Sequence, residues 1–214
     1  MLKAVIFDMD GVLIDSESLK AHAWKIVLDS YHVPGGDRFY LDNVGTSRLD
    51  LCKKAVRLFR INDAPELLAQ KKLAATKELM KKEFKPIKPM IDFLKSIPKS
   101  RYKIRVASAT NKAIIEYNLR KAGIQDLVDA IASGEDDILP GRNKPFPDIF
   151  ILMAKKLKVG PGNCLVIEDS TNGIKAAKVA GMKCAAYVGE GKQDYRLADY
   201  LIKNPNDFDL SRIF

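Results

Sequence analysis

Two pairs of carboxylates carry the most chemical information in this chain. The segment Val5-Ile6-Phe7-Asp8-Met9-Asp10-Gly11-Val12 is an apolar run of buried-strand type that ends in two acids one residue apart, followed by a glycine. Side chains alternate faces along a strand, so Asp8 and Asp10 would diverge on a straight chain; Gly11 permits a sharp turn that brings both to one cleft. A D-x-D-G string arises by chance in roughly a few per cent of chains of this size, so its weight comes from its place directly after an apolar first strand. The second pair, Glu168-Asp169, follows another apolar run, Cys164-Leu165-Val166-Ile167. Acids gathered at strand ends repel one another, and a hard cation with oxygen ligands is the natural way to hold them together; magnesium fits best. The competing reading is that Glu168 and Asp169 serve the helix that begins near Ser170-Thr171-Asn172-Gly173, since carboxylates are favourable at a helix N-terminus.

Two further residues supply what a transferring phosphoryl group needs. Ser108 ends an apolar run in Val106-Ala107-Ser108-Ala109-Thr110-Asn111 and precedes a helical pattern. Its hydroxyl and the backbone N–H groups that follow, from Ala109 toward Asn111, can hold phosphate oxygens. Lys144, in Gly141-Arg142-Asn143-Lys144-Pro145-Phe146-Pro147-Asp148, stands in a loop just before another helical pattern, where a point positive charge offsets carboxylates and phosphate. A serine cap and a loop lysine are ordinary surface features taken singly. Their order and setting give them meaning.

These residues need a scaffold that collects strand ends. Short β-branched runs at 3–7, 103–107, 128–132, 164–167, 185–188 and 200–202 alternate with helical patterns at about 90–97, 112–122, 147–157 and 172–180. That alternation predicts crossover units and a parallel sheet, an α/β doubly wound, Rossmann-like core. In such sheets ligands bind beyond the carboxyl ends of the strands. Asn111 is a candidate cap, Pro147 a first-turn residue and Gly181 a helix stop. The stretch 18–83 breaks the alternation: it holds no convincing strand and reads as three or four helices, among them 18–30, 47–60 and 65–83. It is expected to be an inserted all-helical domain over 17–84, with the core formed by 1–16 and 85–214. Lys85-Pro86-Ile87-Lys88-Pro89 marks its exit, and entry and exit lie close together as two hinges.

Composition narrows the possible partners. A chain of 214 residues that is 47% hydrophobic is long enough to bury a substantial core, which argues against disorder. The net charge of +9 is spread along the sequence, with 13 basic against 10 acidic residues over 15–83, so no basic stripe suggests a nucleic-acid partner. No apolar stretch is long enough for a membrane span, and the run before Asp8 is too short for the centre of a signal peptide. Cys52, Cys164 and Cys184 are odd in number and widely spaced, which predicts reduced, buried thiols in a cytoplasmic protein. A monomer acting on a small phosphorylated metabolite is the expectation, with no nucleic acid and no membrane as partner.

Asp8-Met9-Asp10-Gly11-Val12, Ser108, Lys144-Pro145-Phe146-Pro147-Asp148 and Glu168-Asp169-Ser170 resemble the four successive motifs of the haloacid dehalogenase superfamily, and the helical insertion resembles its C1-type cap. Within that superfamily, Asp15-Ser16-Glu17, Ala23-Trp24 and Gly45-Thr46-Ser47-Arg48 are similar to the β-phosphoglucomutase and sugar-phosphate phosphatase group. The resemblance implies Asp8 as nucleophile forming an aspartyl-phosphate and Asp10 as general acid and base. It implies magnesium held by Asp8, the Asp10 carbonyl and Asp169, with Glu168 as ligand or support, and Ser108 and Lys144 stabilising charge on phosphate oxygens. Arg48 matches a position that grips a second phosphate, and Lys20 stands where the mutases carry a cap histidine, with His22 two places on. A lysine binds an anion but does not relay protons near neutrality, so a phosphatase is favoured and a phosphosugar mutase is the alternative. Metal-free dehalogenation would not need Asp10 or the Glu168-Asp169 pair. A receiver-type switch would be short-lived beside Asp10, and a silent binding protein would be expected to have lost one of these residues.

Overall fold

The computed structural model describes residues 1–44, 46, 48–189 and 193–213. The apolar run before Asp8 becomes β1 (Ala4–Phe7), buried at every position. The chain then turns back on itself: Leu13 and Ile14 both donate to the Met9 carbonyl at 2.9 Å, and Gly11 takes φ +79°. Only glycine accepts that conformation without strain.

By its internal contacts the chain divides into two compact units, Asp15–Lys85 and the remainder, Met1–Ile14 with Pro86–Phe214. Among the described residues the regular elements of the first unit are all helices: α1 (Glu17–Asp29), α2 (Gly36–Leu41), α3 (Arg48–Phe59) and α4 (Pro65–Lys82). Its core gathers Trp24, Leu28, Phe39, Leu51, Cys52 and Leu68. Trp24 meets Phe39 edge-on, with ring centroids 5.3 Å apart. The short α2 starts at Gly36 because a side chain there would fall on the Trp24 carbonyl, so only glycine lets α2 lie this close to α1.

The second unit continues with α5 (Lys88–Ser96), β2 (Lys103–Ser108), α6 (Lys112–Lys121), β3 (Ala130–Ser133), α7 (Asp148–Leu157), β4 (Cys164–Glu168), α8 (Thr171–Val179), β5 (Lys183–Tyr187) and β6 (Tyr200–Ile202). All pairings are parallel and the strand order is β3-β2-β1-β4-β5-β6, so the sheet is of the expected α/β doubly wound, Rossmann-like class. Alternation along β1 sends Ala4 and Ile6 into a core with Phe150 and Met153 of α7 and Ile174 and Ala177 of α8. On the other side Phe7 packs against Phe93 of α5 at 6.2 Å. Each such fully buried apolar side chain contributes about 1.5–3 kcal/mol, which is why both faces must be covered.

The differences from expectation lie at element ends. Pro147 precedes α7 as its N-cap rather than opening its first turn, and α5 begins two residues earlier than the pattern suggested, with Pro89 inside its first turn. Asn111 caps α6 by accepting from the Ile114 N–H at 3.1 Å, and Gly181 follows α8 at φ +74°. The three cysteines are buried and free of disulfides. Among the described residues no helix is long and apolar enough to cross a membrane.

Candidate active site

The order of strands decides where chemistry can gather. β1 lies between β2 and β4, and the chain leaves it in opposite directions to reach them, which opens a crevice at the carboxyl ends. Phe7 is in register with Ile167 and with Val106, so Asp8 emerges beside Glu168, and Ser108 ends β2 on the other flank. The Asp8 N–H donates to the Ile167 carbonyl at 2.9 Å, extending the ladder by one residue and fixing the nucleophile candidate at the sheet's edge.

Lys144 reaches in from the loop before α7. Its Nζ lies 2.5 Å from Asp8 Oδ1 and 2.5 Å from Glu168 Oε1, above the ring of Phe150. Burial alone would favour a neutral amine, but the Asp8 and Glu168 carboxylates outweigh it and raise the lysine's pKa, so Lys144 is a fixed cation. Asp8 is pushed up to about 7, chiefly by burial and further by the Glu168 and Asp10 carboxylates, with Lys144 opposing. The loop carrying Lys144 is braced outside the crevice: Arg142 forks onto Asp148 with two 3.0 Å bonds and stacks over Phe146 at 4.5 Å.

Glu168 is the organiser of its own loop. Its Oε2 accepts from the Asp169 N–H, the Ser170 N–H and the Ser170 hydroxyl at 3.0, 2.9 and 2.9 Å. The same Ser170 hydroxyl accepts from the Gly173 N–H at 3.1 Å and so caps α8, which answers the capping alternative: the cap is Ser170, and Glu168 shapes the turn beneath it. A Cβ at Gly173 would fall on the Glu168 carboxylate, and one at Gly11 would fall on the carboxylate of Asp169. Asp8, Glu168 and Asp169 each offer an oxygen, and these oxygens lie within 4.8 Å of one another.

On the opposite flank the Ser108 hydroxyl, fully buried, donates to Asp10 Oδ2 at 3.0 Å and accepts from the Thr110 N–H at 3.2 Å. Ala109 is exposed beside it, and Asn111 spends its side chain on capping α6 and on a 3.4 Å contact to Glu135. Thus Asp8, Asp10, Ser108, Lys144, Glu168 and Asp169 converge on one end of the sheet. Lys20 and Arg48 belong to the helical unit. Lys20 is paired with Glu17 at 2.9 Å, and Arg48 opens α3 exposed to solvent. His22 faces Glu83 at 3.3 Å. In the Gly45-Thr46-Ser47-Arg48 match, Gly45 and Ser47 lie outside the described residues.

Residues 5–187 match the family model of the haloacid dehalogenase-like hydrolases. The chain belongs to this family. Among curated relatives of the hydrolase, the fructose-1-phosphate phosphatase YqaB of Escherichia coli is 30% identical over 178 residues, covering 83% of this chain and 92% of that one. The β-phosphoglucomutase of Bacillus subtilis is 32% identical over 222 residues, covering 98% and 92%. A crystal structure of β-phosphoglucomutase from Clostridium difficile superposes with a TM-score of 0.75 at 26% identity, covering 99% and 95%. With relatives of this kind across its length, the hydrolase is an enzyme of the phosphohydrolase type.

Local sequence reading passed over the residues that support this hydrolase's site from a distance. Gly173 and the Arg142–Asp148 fork had usable signals, a glycine two places into a helix and opposite charges flanking Lys144. Gly134 had none: its N–H donates to the Ser108 carbonyl at 2.8 Å, and a Cβ there would meet Asn143 and Ala109, a contact made only by the fold.

Proposed function

We propose that this hydrolase is a magnesium-dependent phosphatase of small phosphorylated carbohydrates, working through an aspartyl-phosphate on Asp8 in a cytoplasmic setting. The observation that carries the reading is the convergence of Asp8, Lys144 and the Glu168-Asp169 loop at one end of the sheet. The names of the relatives supply the substrate class: a fructose-1-phosphate phosphatase, a phosphorylated-carbohydrates phosphatase and a hexitol phosphatase.

The residues fit a hard divalent cation. Three carboxylates converge, the Lys144 charge stands between two of them, and Gly11 leaves room for Asp169 to approach. Asp8, Asp169 and the Asp10 carbonyl would hold it, with Glu168 shaping the loop. When bound, magnesium supplies positive charge beside the phosphoryl oxygens.

The chain's own residues account for the remaining steps. An Asp8 carboxylate oxygen attacks phosphorus in line, and the bond from phosphorus to the sugar oxygen breaks as Asp10 hands its proton to that oxygen. A water then gives its proton to Asp10 and attacks the aspartyl-phosphate, releasing phosphate and regenerating Asp8 with Asp10 protonated for the next cycle. Lys144 and the Ser108 hydroxyl stabilise charge on the transferring group, and Ser108 also orients the Asp10 carboxyl. The helical unit, joined through adjoining segments in which Ile87 N–H donates to the Leu13 carbonyl and Asp15 N–H to the Lys85 carbonyl, would serve as a cap, with Arg48 and Lys20 as its candidate substrate-binding residues.

A phosphosugar mutase is the second reading, favoured by the similarity to the B. subtilis β-phosphoglucomutase along nearly the whole chain. Lys20 argues for the phosphatase, because a lysine is a poor proton relay near neutrality where a histidine serves well. Phosphate release from a panel of sugar phosphates, with isomers resolved and Asp8→Asn as control, separates the two. Magnesium-dependent release that disappears in Asp8→Asn supports the phosphatase. Interconversion of sugar 1- and 6-phosphates without release would replace it by the mutase, and silence on both would remove the catalytic reading.

A further inference from the structure

The acidic loop between β4 and α8 is pinned from outside by a residue far along the chain. Thr171 opens α8, and its N–H is among the helix's terminal donors with no partner inside the helix. That N–H donates to Oε1 of Gln193 at 3.0 Å, and the Thr171 hydroxyl donates to the same oxygen at 2.9 Å. The hydroxyl in turn accepts from the Asp194 N–H at 2.8 Å. The segment after β5 is therefore tied to the first residue of α8 by three bonds that all pass through Thr171.

The tie matters because of what the neighbouring donors do. The N–H groups of Asp169 and Ser170 and the Ser170 hydroxyl all turn inward to Glu168 Oε2, so the loop is shaped around that carboxylate, whose other oxygen meets Lys144, while Thr171 ties its far end to the segment after β5. Asp169 lies two residues before Thr171, with its carboxylate against Gly11 of the opposite loop. A shift of Thr171 would carry the Asp169 backbone with it and move that carboxylate away from Asp8.

We propose that Gln193 is a positioning residue for cation binding: by accepting both Thr171 donors it holds Asp169 in the place where, with Asp8, it binds magnesium. The inference rests on the reading of Asp8 and Asp169 as the cation site. Residues that orient a ligand of this kind are worth about 10–100-fold in metal affinity when removed. Both bonds from Thr171 end on one oxygen, so the function requires an acceptor at this point and not the amide's N–H₂ group.

Calorimetric titration of the metal-free protein with magnesium alone, without substrate, tests this. Gln193→Ala and Gln193→Leu should each weaken the dissociation constant at least about 10-fold while the circular dichroism spectrum and melting temperature stay near wild type. Gln193→Glu, which keeps the acceptor, should bind magnesium within a few-fold of wild type. Thr171→Val, which loses the hydroxyl but keeps the N–H bond, should weaken binding by no more than Gln193→Ala, and the double variant should be no weaker than Gln193→Ala alone, since both act on the same tie. Additive losses, or a Gln193→Ala protein that binds like wild type, would overturn the proposal. Asp169→Asn separates the premise from the inference: if it too binds magnesium normally, the cation-site reading falls, whereas loss in Asp169→Asn with none in Gln193→Ala removes only the role of Gln193.

Discussion

Lys144 is the residue on which the charge balance of the site turns. It is the cation facing two buried carboxylates, Asp8 and Glu168, and its own side chain is 11% exposed. Removing one member of a buried charge cluster leaves the others uncompensated, at about 3–5 kcal/mol. Lys144→Met is therefore predicted to lose about 3 kcal/mol of unfolding free energy in metal-free urea titrations, and added magnesium should return part of it. A variant as stable as wild type without the ion would contradict this assignment of charge. Gly173→Ala tests the space left for Glu168: with its Cβ on the carboxylate, the loop must move, and both phosphate release and magnesium affinity should fall by at least 10-fold, checked by assay and calorimetry. The acids and the lysine were legible because carboxylates after apolar strands are rare and chemically loud. Gly134 and Gln193 were not, since each acts through a contact with a residue distant in sequence.

The elements that hold the site also carry a pH-sensitive joint away from it. Asp199, just before β6, accepts from the Cys184 N–H of β5 at 2.7 Å and from Lys178 of α8 at 2.7 and 2.6 Å. Burial would raise its pKa, but the Lys178 and Cys184 bonds prevail and the carboxyl is held below its ordinary value. A depressed carboxyl stabilises the fold above its unfolded pKa, about 4, and that contribution is lost as pH falls through the lower folded value. Asp199→Asn should accordingly be less stable than wild type by about 2 kcal/mol at pH 7, with the gap closing below about pH 4. Denaturant curves across that range check the sign, and a gap that widens in acid would refute it. At this scale the sequence showed most of the order of elements, because alternation of β-branched runs and helical spacing survives in any single chain. It did not show α2, six residues long and opened by Gly35 and Gly36 instead of a polar cap. It also placed β5 two residues late, where Lys183 and Cys184 pair with Leu165 and Val166 through a register set only by the neighbouring strand.

Across the whole molecule, the two compact units have separate cores, and the chain's single tryptophan lies in the helical one. Trp24 fluorescence thus reports the packing of that core. Leu68→Ala, at a fully buried position of the same core, should destabilise the fluorescence-detected transition by about 2–5 kcal/mol while the magnesium dissociation constant of the sheet site stays within about 2-fold. An affinity that collapses with it would show that the cation site depends on the helical core. The break in alternation between 18 and 83 is visible in the sequence; which apolar residues meet in each core is not, because that is a property of the fold. The same division gives the three thiols a use. Cys52 sits in the helical core, whereas Cys164 and Cys184 sit in strands β4 and β5, and burial raises the pKa of all three. A thiol reacts as its thiolate, so each should resist alkylation until its surroundings open. Pulse alkylation read by peptide mass would then time the breathing of each unit in one sample, with the protein acting as its own two-channel clock.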